Sequence, residues 1–512
     1  MAAIDGIPAG DFVKKASLQI QVHDPDARYN TLFRTLASDL AFSRRWAQPF
    51  TGPSLQDVTK VTLQNGTELE YENTAYLGAN FSMVSSGKDL YDAYGDPTSN
   101  VSLPSDWEIY ELQRLNWTID FTGYPEKVEV VSKSQAITGF LPTQEQLKDV
   151  AVISVNQFVE NIHVTVENVE EFSSGADTQI WADAVTTIVQ RAKDNGRSKL
   201  LIDLQGNSGG LLTNLQTLYT GLFPKEPALP VLWAARAHPQ LAWIGSYLDA
   251  HREDGQSPLE VMGLDQFDKP DGTAWASFQE FYGPVPGRRG ASTHGGLVNA
   301  TRGTDYSFSP PWASPPFPPE NIVLVTDGYC GSACAIFVDI LANTHGVRTV
   351  AMGGRPMEAP MQAVGATKGG PVADFWGIPT DEEVDRSAAP PGVVIPPDPV
   401  TGRPPLRMGS MYGWAGGMSV NLMNLSPVEE GDGAVPAQMR YEAANCKLFF
   451  TWEMMRDITV LWREVVDVTW GEGRCVAGST TNDDGTMGWT APGYTAAVED
   501  EYKLGPGPGA LV

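Results

Sequence analysis

The sequence predicts an α/β protein whose core is a mostly parallel sheet covered by helices, preceded by a region rich in strands. Two observations carry this prediction. Between residues 150 and 352, runs of consecutive apolar residues alternate with stretches whose apolar residues recur at helical spacing. Continuous apolar strands that alternate with amphipathic helices are typical of parallel sheets buried on both faces. Before residue 140, apolar and polar residues instead alternate over much of the chain, as in half-exposed strands.

The first 140 residues predict strands and turns with one helix among them. Asn65 and Gly66 lie at the centre of "KVTLQNGTELEYEN", whose alternating flanks indicate a β-hairpin. The segment "WTIDFTGYPEKVEVVSKS" continues the strand pattern, and "DPDARYNTLFRTLASDL" contains the predicted helix.

From residue 150 the predicted strands are "VAVISV", "KLLIDL", "NIVLVTDG" and "VRTVAMGG". The predicted helices between them are "IWADAVTTIVQRAKDNG", "LLTNLQTLYTGLF" and the stretch from Ala333 to Gly346. Two Pro-rich parts interrupt this order, a long insertion over 224–320 and a stretch over 388–406. We expect both to be extended surface loops.

The charge excludes two classes of partner. The 512-residue chain has 62 acidic and 35 basic residues and a net charge of −27. Nucleic acids and anionic membrane surfaces need basic footprints, so neither is expected as a partner. No run reaches the roughly 18 apolar residues that span a bilayer. The N-terminus "MAAIDGIPAG" has no pattern of a signal peptide, yet four of six glycosylation sequons lie within residues 65–118 and favour a glycosylated surface.

The four cysteines fall into two candidate pairs. Cys446 and Cys475 flank an aromatic-rich segment that a disulfide would close, the alternative being buried free thiols. Cys330 and Cys334 are four residues apart across a predicted turn, where their Cα atoms can approach the roughly 5.5 Å that a disulfide favours. No histidines stand at ligand spacing around them, so no metal site is predicted.

Two junctions between a strand and a helix attract attention. In "LIDLQGNSGGLL", Gly209 and Gly210 allow a sharp turn and a close approach to a ligand just before a helix N-terminus. In "TDGYCGSACAIF", Ser332 stands at a helix start and the amide of Ala333 follows it. This is the arrangement of an exposed nucleophile whose next amide can hold an oxyanion. The competing interpretation is that Ser332 only caps the helix.

Taken together, these junctions resemble the S41 serine peptidases, the tail-specific or C-terminal processing proteases. "KLLIDLQGNSGG" is similar to the family's "LILDLRNNPGG", and "VLVTDGYCGSACAIF" to its nucleophile segment "VLVNxxSASASEIF". "IDGIPAGDF", "DPDARYNTLF", "GGRPMEAPMQAVG" and "YEAANCKLFF" resemble the fungal branch related to the chlamydial protease-like-activity-factor peptidases. The resemblance covers nearly the whole chain.

The resemblance implies a ClpP/crotonase-like catalytic core with a PDZ-like N-terminal domain. The expected domains are a PDZ-like domain over 1–145, the core over 146–223 and 321–500, the insertion over 224–320, and a disordered tail over 501–512. Ser332 falls on the family nucleophile, Ala333 on the residue whose amide enters the oxyanion hole, and Gly209 or Gly210 on the source of the second amide.

The expected general base is missing from the motifs. Bacterial members use a lysine where this chain has Pro360, and Lys368 lies out of register. The chlamydial-type branch uses a histidine from a segment before the PDZ-like domain, and we expect this chain to lack that segment. None of the six histidines matches a family motif. Glu442 is the candidate for a supporting carboxylate.

The expected function is therefore that of an S41 endopeptidase with Ser332 as nucleophile, impaired because its base is missing. One alternative is a non-catalytic peptide-binding relative, and a weaker one is a crotonase-like acyl-transfer enzyme. We expect protein or peptide substrates, no cofactor, and no nucleic-acid or membrane partner, with a homo-oligomer left open. Family and sequons together predict a secreted parent protein.

Overall fold

The structure is a computed structural model of the chain. It describes residues 1–18, 20, 22–33, 35–37, 57–73, 84–92, 122–125, 128–131, 136–159, 174–226, 232–236, 243, 246–247, 268–269, 271–282, 294–299, 308–369, 372–374, 419–421, 423–426, 440–480, 482 and 486–487. The predicted tail over 501–512 and the Pro-rich stretch over 388–406 lie outside the described residues.

Sixteen strands and eight α-helices lie in this part of the chain. The strands are β1 (Ala3–Ile4), β2 (Ile7–Pro8), β3 (Val58–Thr62), β4 (Glu68–Glu72), β5 (Val130–Val131), β6 (Ile137–Phe140), β7 (Val150–Val155), β8 (Lys199–Asp203), β9 (Leu232–Arg236), β10 (His294–Asn299), β11 (Ile322–Thr326), β12 (Arg348–Met352), β13 (Val372–Asp374), β14 (Ser419–Asn421), β15 (Met423–Ser426) and β16 (Cys446–Leu448). The helices are α1 (Ala9–Ser17), α2 (Pro25–Thr31), α3 (Gly87–Leu90), α4 (Ser174–Asp194), α5 (Leu212–Leu222), α6 (Phe278–Tyr282), α7 (Ala333–Asp339) and α8 (Ile458–Trp470). Two 3₁₀ turns (Glu145–Leu147 and Pro319–Asn321) and a π-helical turn (Ile340–Thr344) complete the set.

A seven-stranded sheet forms the centre of the fold, in the order β16-β12-β11-β8-β7-β6-β5. The five strands from β16 to β7 are parallel, and β6 and β5 join antiparallel at one edge. The predicted α/β class with a mostly parallel sheet is therefore confirmed. Because β8 and β11 are direct neighbours, the loops that leave their carboxyl ends lie side by side. These loops are the two junctions singled out in the sequence.

Both faces of the central sheet are buried. Ile153, Ile202 and Leu324 point to one face, where they pack with residues of α4, α5 and α7. Their sequence neighbours point to the other face, where they pack against α8. Side chains alternate between the faces of a strand, so an entirely apolar strand needs cover on both sides. This requirement explains why the core strands read as unbroken apolar runs.

The N-terminal region forms a separate antiparallel sheet in the order β2-β1-β3-β4. Strands β3 and β4 are the predicted hairpin, whose turn contains Gly66 at a φ of +84°. Helix α2 begins at the predicted "DPDA" segment, because Pro25 fits the first helical position and the Asp24 carboxylate accepts the amides of Asp26 and Ala27. The central sheet includes β5 and β6, which precede residue 146, the predicted start of the core. The predicted domain bounds remain a prediction.

The expectation of loops throughout the insertion is wrong for part of it. Strands β9 and β10 pair antiparallel, and β15 completes a three-stranded sheet on the other edge of β9. Helix α6 also lies within residues 224–320. The local pattern did not predict this sheet because β15 begins 187 residues after the end of β9, the strand with which it pairs. None of the described helices has the length and apolar character needed to cross a membrane.

Candidate active site

Ser332 occupies a strained turn between β11 and α7. Its backbone adopts a φ of +50° and a ψ of −126°, and Asp5 is the only other non-glycine residue with positive φ among the described residues. Such a conformation costs an L-residue about 1–3 kcal/mol and is concentrated at functional sites. The hydroxyl makes no capping bond to the helix that it precedes. The interpretation of Ser332 as a simple cap is therefore not supported, and its half-buried hydroxyl is free for other chemistry.

The amide of Ala333 has no acceptor among the described residues. The next amides do have acceptors, because those of Cys334 and Ala335 both donate to the Gly331 carbonyl. Ala333 itself is fully buried. An unpaired amide at a helix start, directly after a half-buried hydroxyl, can donate to an anionic oxygen.

The glycine loop after β8 lies in direct contact with Ser332. A Cβ atom added to Gly209 would lie 2.6 Å from the Ser332 Cβ and 3.0 Å from the Ala333 nitrogen. Gly209 has a φ of +114° and Gly210 a φ of +138°. Only glycine adopts these conformations readily and allows so close an approach of two backbones. The two predicted junctions therefore meet at one edge of the sheet.

The two glycine amides are not equivalent. The Gly209 amide donates to the Asn207 Oδ1 at 2.8 Å, so it is already engaged. The Gly210 amide has no acceptor among the described residues, although the loop around it bridges to Phe158 through two backbone bonds. Of the two predicted candidates, Gly210 is thus the one whose amide has no acceptor within the described residues.

Asn207 and Asp327 are two supporting residues that the sequence reasoning did not single out. The buried Asn207 side chain donates to the Val155 carbonyl at 2.9 Å while it accepts the Gly209 amide. The Asp327 Oδ1 accepts the amides of Gly206 at 3.2 Å and Tyr329 at 3.1 Å, which links the two loops. The available signal is an Asn two residues before Gly209 and an Asp directly before Gly328, since both residue types bond to nearby backbone in turns.

Glu442 forms an ion pair with Lys368 in this structure. Its Oε2 lies 2.7 Å from the Lys368 Nζ, which also donates to the Gln362 Oε1 and the Arg440 carbonyl. The Lys368 side chain is only 7% exposed. Both groups line a cavity of about 30 Å³ beside Asp339, room for roughly one water molecule. The backbone next to Lys368 nonetheless contacts the nucleophile, because the carbonyl of Thr367 accepts the Ser332 amide at 3.4 Å.

Comparisons with known proteins show what the chain as a whole is similar to. The family model described as CPAF-like PDZ domain matches residues 1–82. The Peptidase S41 family protein ustP of Aspergillus flavus is 27% identical over 502 residues, covering 88% of this chain and 97% of its own. The Peptidase S41 family protein phomP1 of Diaporthe leptostromiformis is 26% identical over 542 residues, covering 91% of this chain and 76% of its own.

The resemblance to the S41 peptidases is confirmed. The PDZ-like character of the N-terminal region is confirmed over the matched residues 1–82. A solved structure titled as mature CPAF aligns with 91% of this chain and 75% of its own at 13% identity and a TM-score of 0.40.

Neither His23 nor His345, whose side chains the structure describes, hydrogen-bonds to Ser332 in this S41-like chain. His345 lies at the far end of the helical stretch that Ser332 begins, beyond α7 and the π-helical turn. Its Nε2 bonds to the Tyr219 hydroxyl at 3.0 Å, and its ring stacks on Phe223 with centroids 3.8 Å apart. Burial lowers the pKa of His345, which disfavours its charged form. His163, His238 and His251 lie outside the described residues.

Both candidate cysteine pairs are bonded. The Cα atoms of Cys330 and Cys334 are 5.3 Å apart, and those of Cys446 and Cys475 are 5.4 Å apart. The first bridge encloses the turn that contains Ser332, and both of its cysteines are fully buried. Across the described residues, no group of three or more histidine, cysteine or acidic side chains is arranged to hold a metal ion.

Proposed function

We propose that the chain is a serine-type S41 endopeptidase in which Ser332 is the nucleophile and the amides of Ala333 and Gly210 form the oxyanion hole. One observation carries the proposal. A strained serine with an uncapped hydroxyl lies against Gly209, and the amides of the next residues, Ala333 and Gly210, have no acceptor among the described residues. Neither helix capping nor packing requires this arrangement.

The chemistry follows from the placement of these groups. The Ser332 oxygen attacks the carbonyl carbon of the scissile peptide, and the hydroxyl proton passes to a base. The negative charge that develops on the carbonyl oxygen is held by the two amides, each worth about 3–4 kcal/mol in comparable sites. The C–N bond then breaks, the amine leaves with a proton, and water hydrolyses the acyl-enzyme.

We further propose that the chain catalyses this hydrolysis slowly. Among the described residues, no side chain is placed to accept the proton of the Ser332 hydroxyl. Lys368 donates to three acceptors, and Glu442 is paired with it. His345 is engaged by Tyr219. A triad serine without its base loses at least about 10³-fold in rate. Peptide hydrolysis should therefore be at least that much slower than in an S41 peptidase with a complete triad.

The second candidate is a non-catalytic peptide-binding protein. The observation that favours it is the exposed strand β4, all five residues of which face solvent at the edge of its sheet. An extended peptide can add to such an edge through main-chain hydrogen bonds. Retention of a folded oxyanion pocket with no reactivity at Ser332 would support this candidate.

Fluorophosphonate labelling with mass-spectrometric mapping tests the proposal. Slow labelling at Ser332, lost in Ser332→Ala and kept in Ser208→Ala, would support it, since Ser208 is an exposed serine of the adjoining loop. A folded protein that does not label at Ser332 would overturn the nucleophile assignment and favour the peptide-binding candidate. Lys368→Met should leave the labelling rate unchanged. If this variant no longer labels at Ser332, Lys368 is the base that we consider missing.

A further inference from the structure

Helix α2 of the PDZ-like region packs against the loops of the candidate active site. The Asp26 carboxylate accepts from the Arg355 backbone amide at 2.6 Å and from its guanidinium at 3.1 and 3.2 Å. Ala27 is fully buried in a small apolar cluster with Ile20 and Val22, which Tyr329 flanks. A helix that belongs to the N-terminal region by sequence thus contributes to the carboxyl edge of the central sheet.

Asn30 makes the most extensive set of these contacts. Its Nδ2 donates to the Asp327 carbonyl and to the Met352 carbonyl, both at 2.8 Å. Its Oδ1 accepts the Gly354 amide at 2.7 Å. The side chain is 6% exposed, and these three bonds use both donors and one acceptor site of the amide. Asn30 therefore joins the chain directly after β11 to the chain directly after β12.

Asp327 passes this constraint to both halves of the candidate site. Asn30 fixes its carbonyl, and its carboxylate accepts the amides of Gly206 and Tyr329. Gly206 begins the loop that carries Gly209 and Gly210, and Tyr329 lies three residues before Ser332. Asp327 is itself 1% exposed, so water does not compete for these bonds.

The loops are shaped to accept α2. A Cβ at Gly353 would lie 2.4 Å from the Asn30 Oδ1, and a Cβ at Gly365 would lie 2.6 Å from the Ala27 Cβ. Gly328, immediately after Asp327, has a φ of +79° and leaves only 3.0 Å for a Cβ beside that of Ala27. Close approach at three glycines, in the loops that follow β11 and β12, indicates a fitted contact.

We propose that Asn30 is a positioning residue for the Ser332 site. It acts through Asp327 to hold the turn that contains Ser332 and the loop that contains Gly209 and Gly210 in their relative positions. The inference rests on the proposed function, because it gives Asn30 a role in the reactivity of Ser332. It also assigns the PDZ-like region a part in building the active site, in addition to any peptide that this region binds.

The test compares Asn30→Ala with Thr31→Val in the full chain. Thr31 is equally buried on the same helix, but its hydroxyl bonds only to the Ala27 carbonyl within α2. Hydrogen exchange is followed in peptides over 204–211 and 326–333, and fluorophosphonate labelling is measured well below the melting temperature. Asn30→Ala should speed exchange in both peptides and slow labelling, each by about tenfold or more, as expected for the loss of buried hydrogen bonds. Thr31→Val should change neither.

Three outcomes decide the matter. Unchanged exchange in both loops, or wild-type labelling with faster exchange, overturns the positioning role. A wild-type chain that never labels refutes the proposed function, while the exchange data still decide whether Asn30 holds the loops. If Asn30→Ala does not fold, Asp327→Asn serves instead, because it keeps the shape and weakens the two carboxylate bonds. Labelling by Asp327→Asn at the wild-type rate would overturn the proposal.

Discussion

Substitution of Gly209 by alanine is the sharpest test of the contact between the two junction loops. The added Cβ would lie 2.6 Å from the Ser332 Cβ and 2.7 Å from the Gly331 carbonyl oxygen, whereas ordinary contacts begin at 3.4 Å. The loops must therefore separate by about 0.8 Å to accept the methyl group. The partner atoms belong to backbone and to a Cβ, so a side-chain rotation cannot relieve the clash.

The expected loss concerns reactivity more than folding. A displacement of about 1 Å in a reacting group can cost roughly 10²-fold in rate. We therefore expect the second-order rate constant of fluorophosphonate labelling at Ser332 to fall about 100-fold in Gly209→Ala. The positive φ of +114° adds backbone strain of about 1–2 kcal/mol, which lowers the melting temperature separately.

Gly66→Ala is the matched control for the backbone strain. Gly66 has a φ of +84° in the β3–β4 hairpin, and a Cβ there would meet nothing within 4 Å. It should lose similar stability and keep the wild-type labelling rate. If Gly209→Ala labels within about threefold of wild type at a temperature where both are folded, the glycine loop does not define the Ser332 site.

Two further groups of residues give measurable predictions. Burial raises the pKa of Asp339 from 3.8 to about 6, so the folded chain holds a proton that the unfolded chain releases, and stability falls as pH rises through this window. Asp339→Asn should therefore raise the melting temperature at pH 7.5 and have little effect at pH 4; an unchanged value at pH 7.5 would contradict this. The Cys446–Cys475 bridge closes a 29-residue separation and the Cys330–Cys334 bridge one of 4, so replacing the first pair by alanine should cost more stability in chemical denaturation, about 3.5 against about 2 kcal/mol. Replacing the second pair should slow labelling at Ser332 more, and the reverse order would refute a role for that bridge at the nucleophile. Thiol titration of the denatured, unreduced chain should find no free thiol, whereas four would contradict both bridges.

The central sheet could be predicted because its sequence signal is local. The strand from Val150 to Val155 and the strand from Ile322 to Thr326 are apolar at all but one position each, and each matches its predicted position within two residues. The helix after Ser332 was predicted to run to Gly346, but α7 ends at Asp339 and a π-helical turn follows. Apolar spacing near four residues fits both helix types, so the pattern did not reveal the change.

The sequence motifs could not predict which backbone amides of the site have acceptors, because this depends on the directions of neighbouring side chains. The motif made Gly209 and Gly210 equal candidates, and the distinction comes from one bond of the Asn207 side chain. Likewise, Glu442 was expected to support a base, and the structure places a lysine beside it. Which groups face each other across a turn depends on side-chain direction as well as on order along the chain.

The contribution of α2 illustrates a different limit. Its start was readable, because Asp24 and Pro25 form a local capping signal. Its partners were not readable, because the bond from Asn30 to Asp327 joins residues 297 positions apart. A buried asparagine in a short helix has no sequence feature that distinguishes it from an exposed one. Once the fold is known, the role of Asn30 becomes clear, since three bonds from its side chain to the ends of two strands hold those ends together. The position of Ser332 then depends on the N-terminal region as well as on the sheet, and a variant that weakens α2 should reduce reactivity before it unfolds the central sheet.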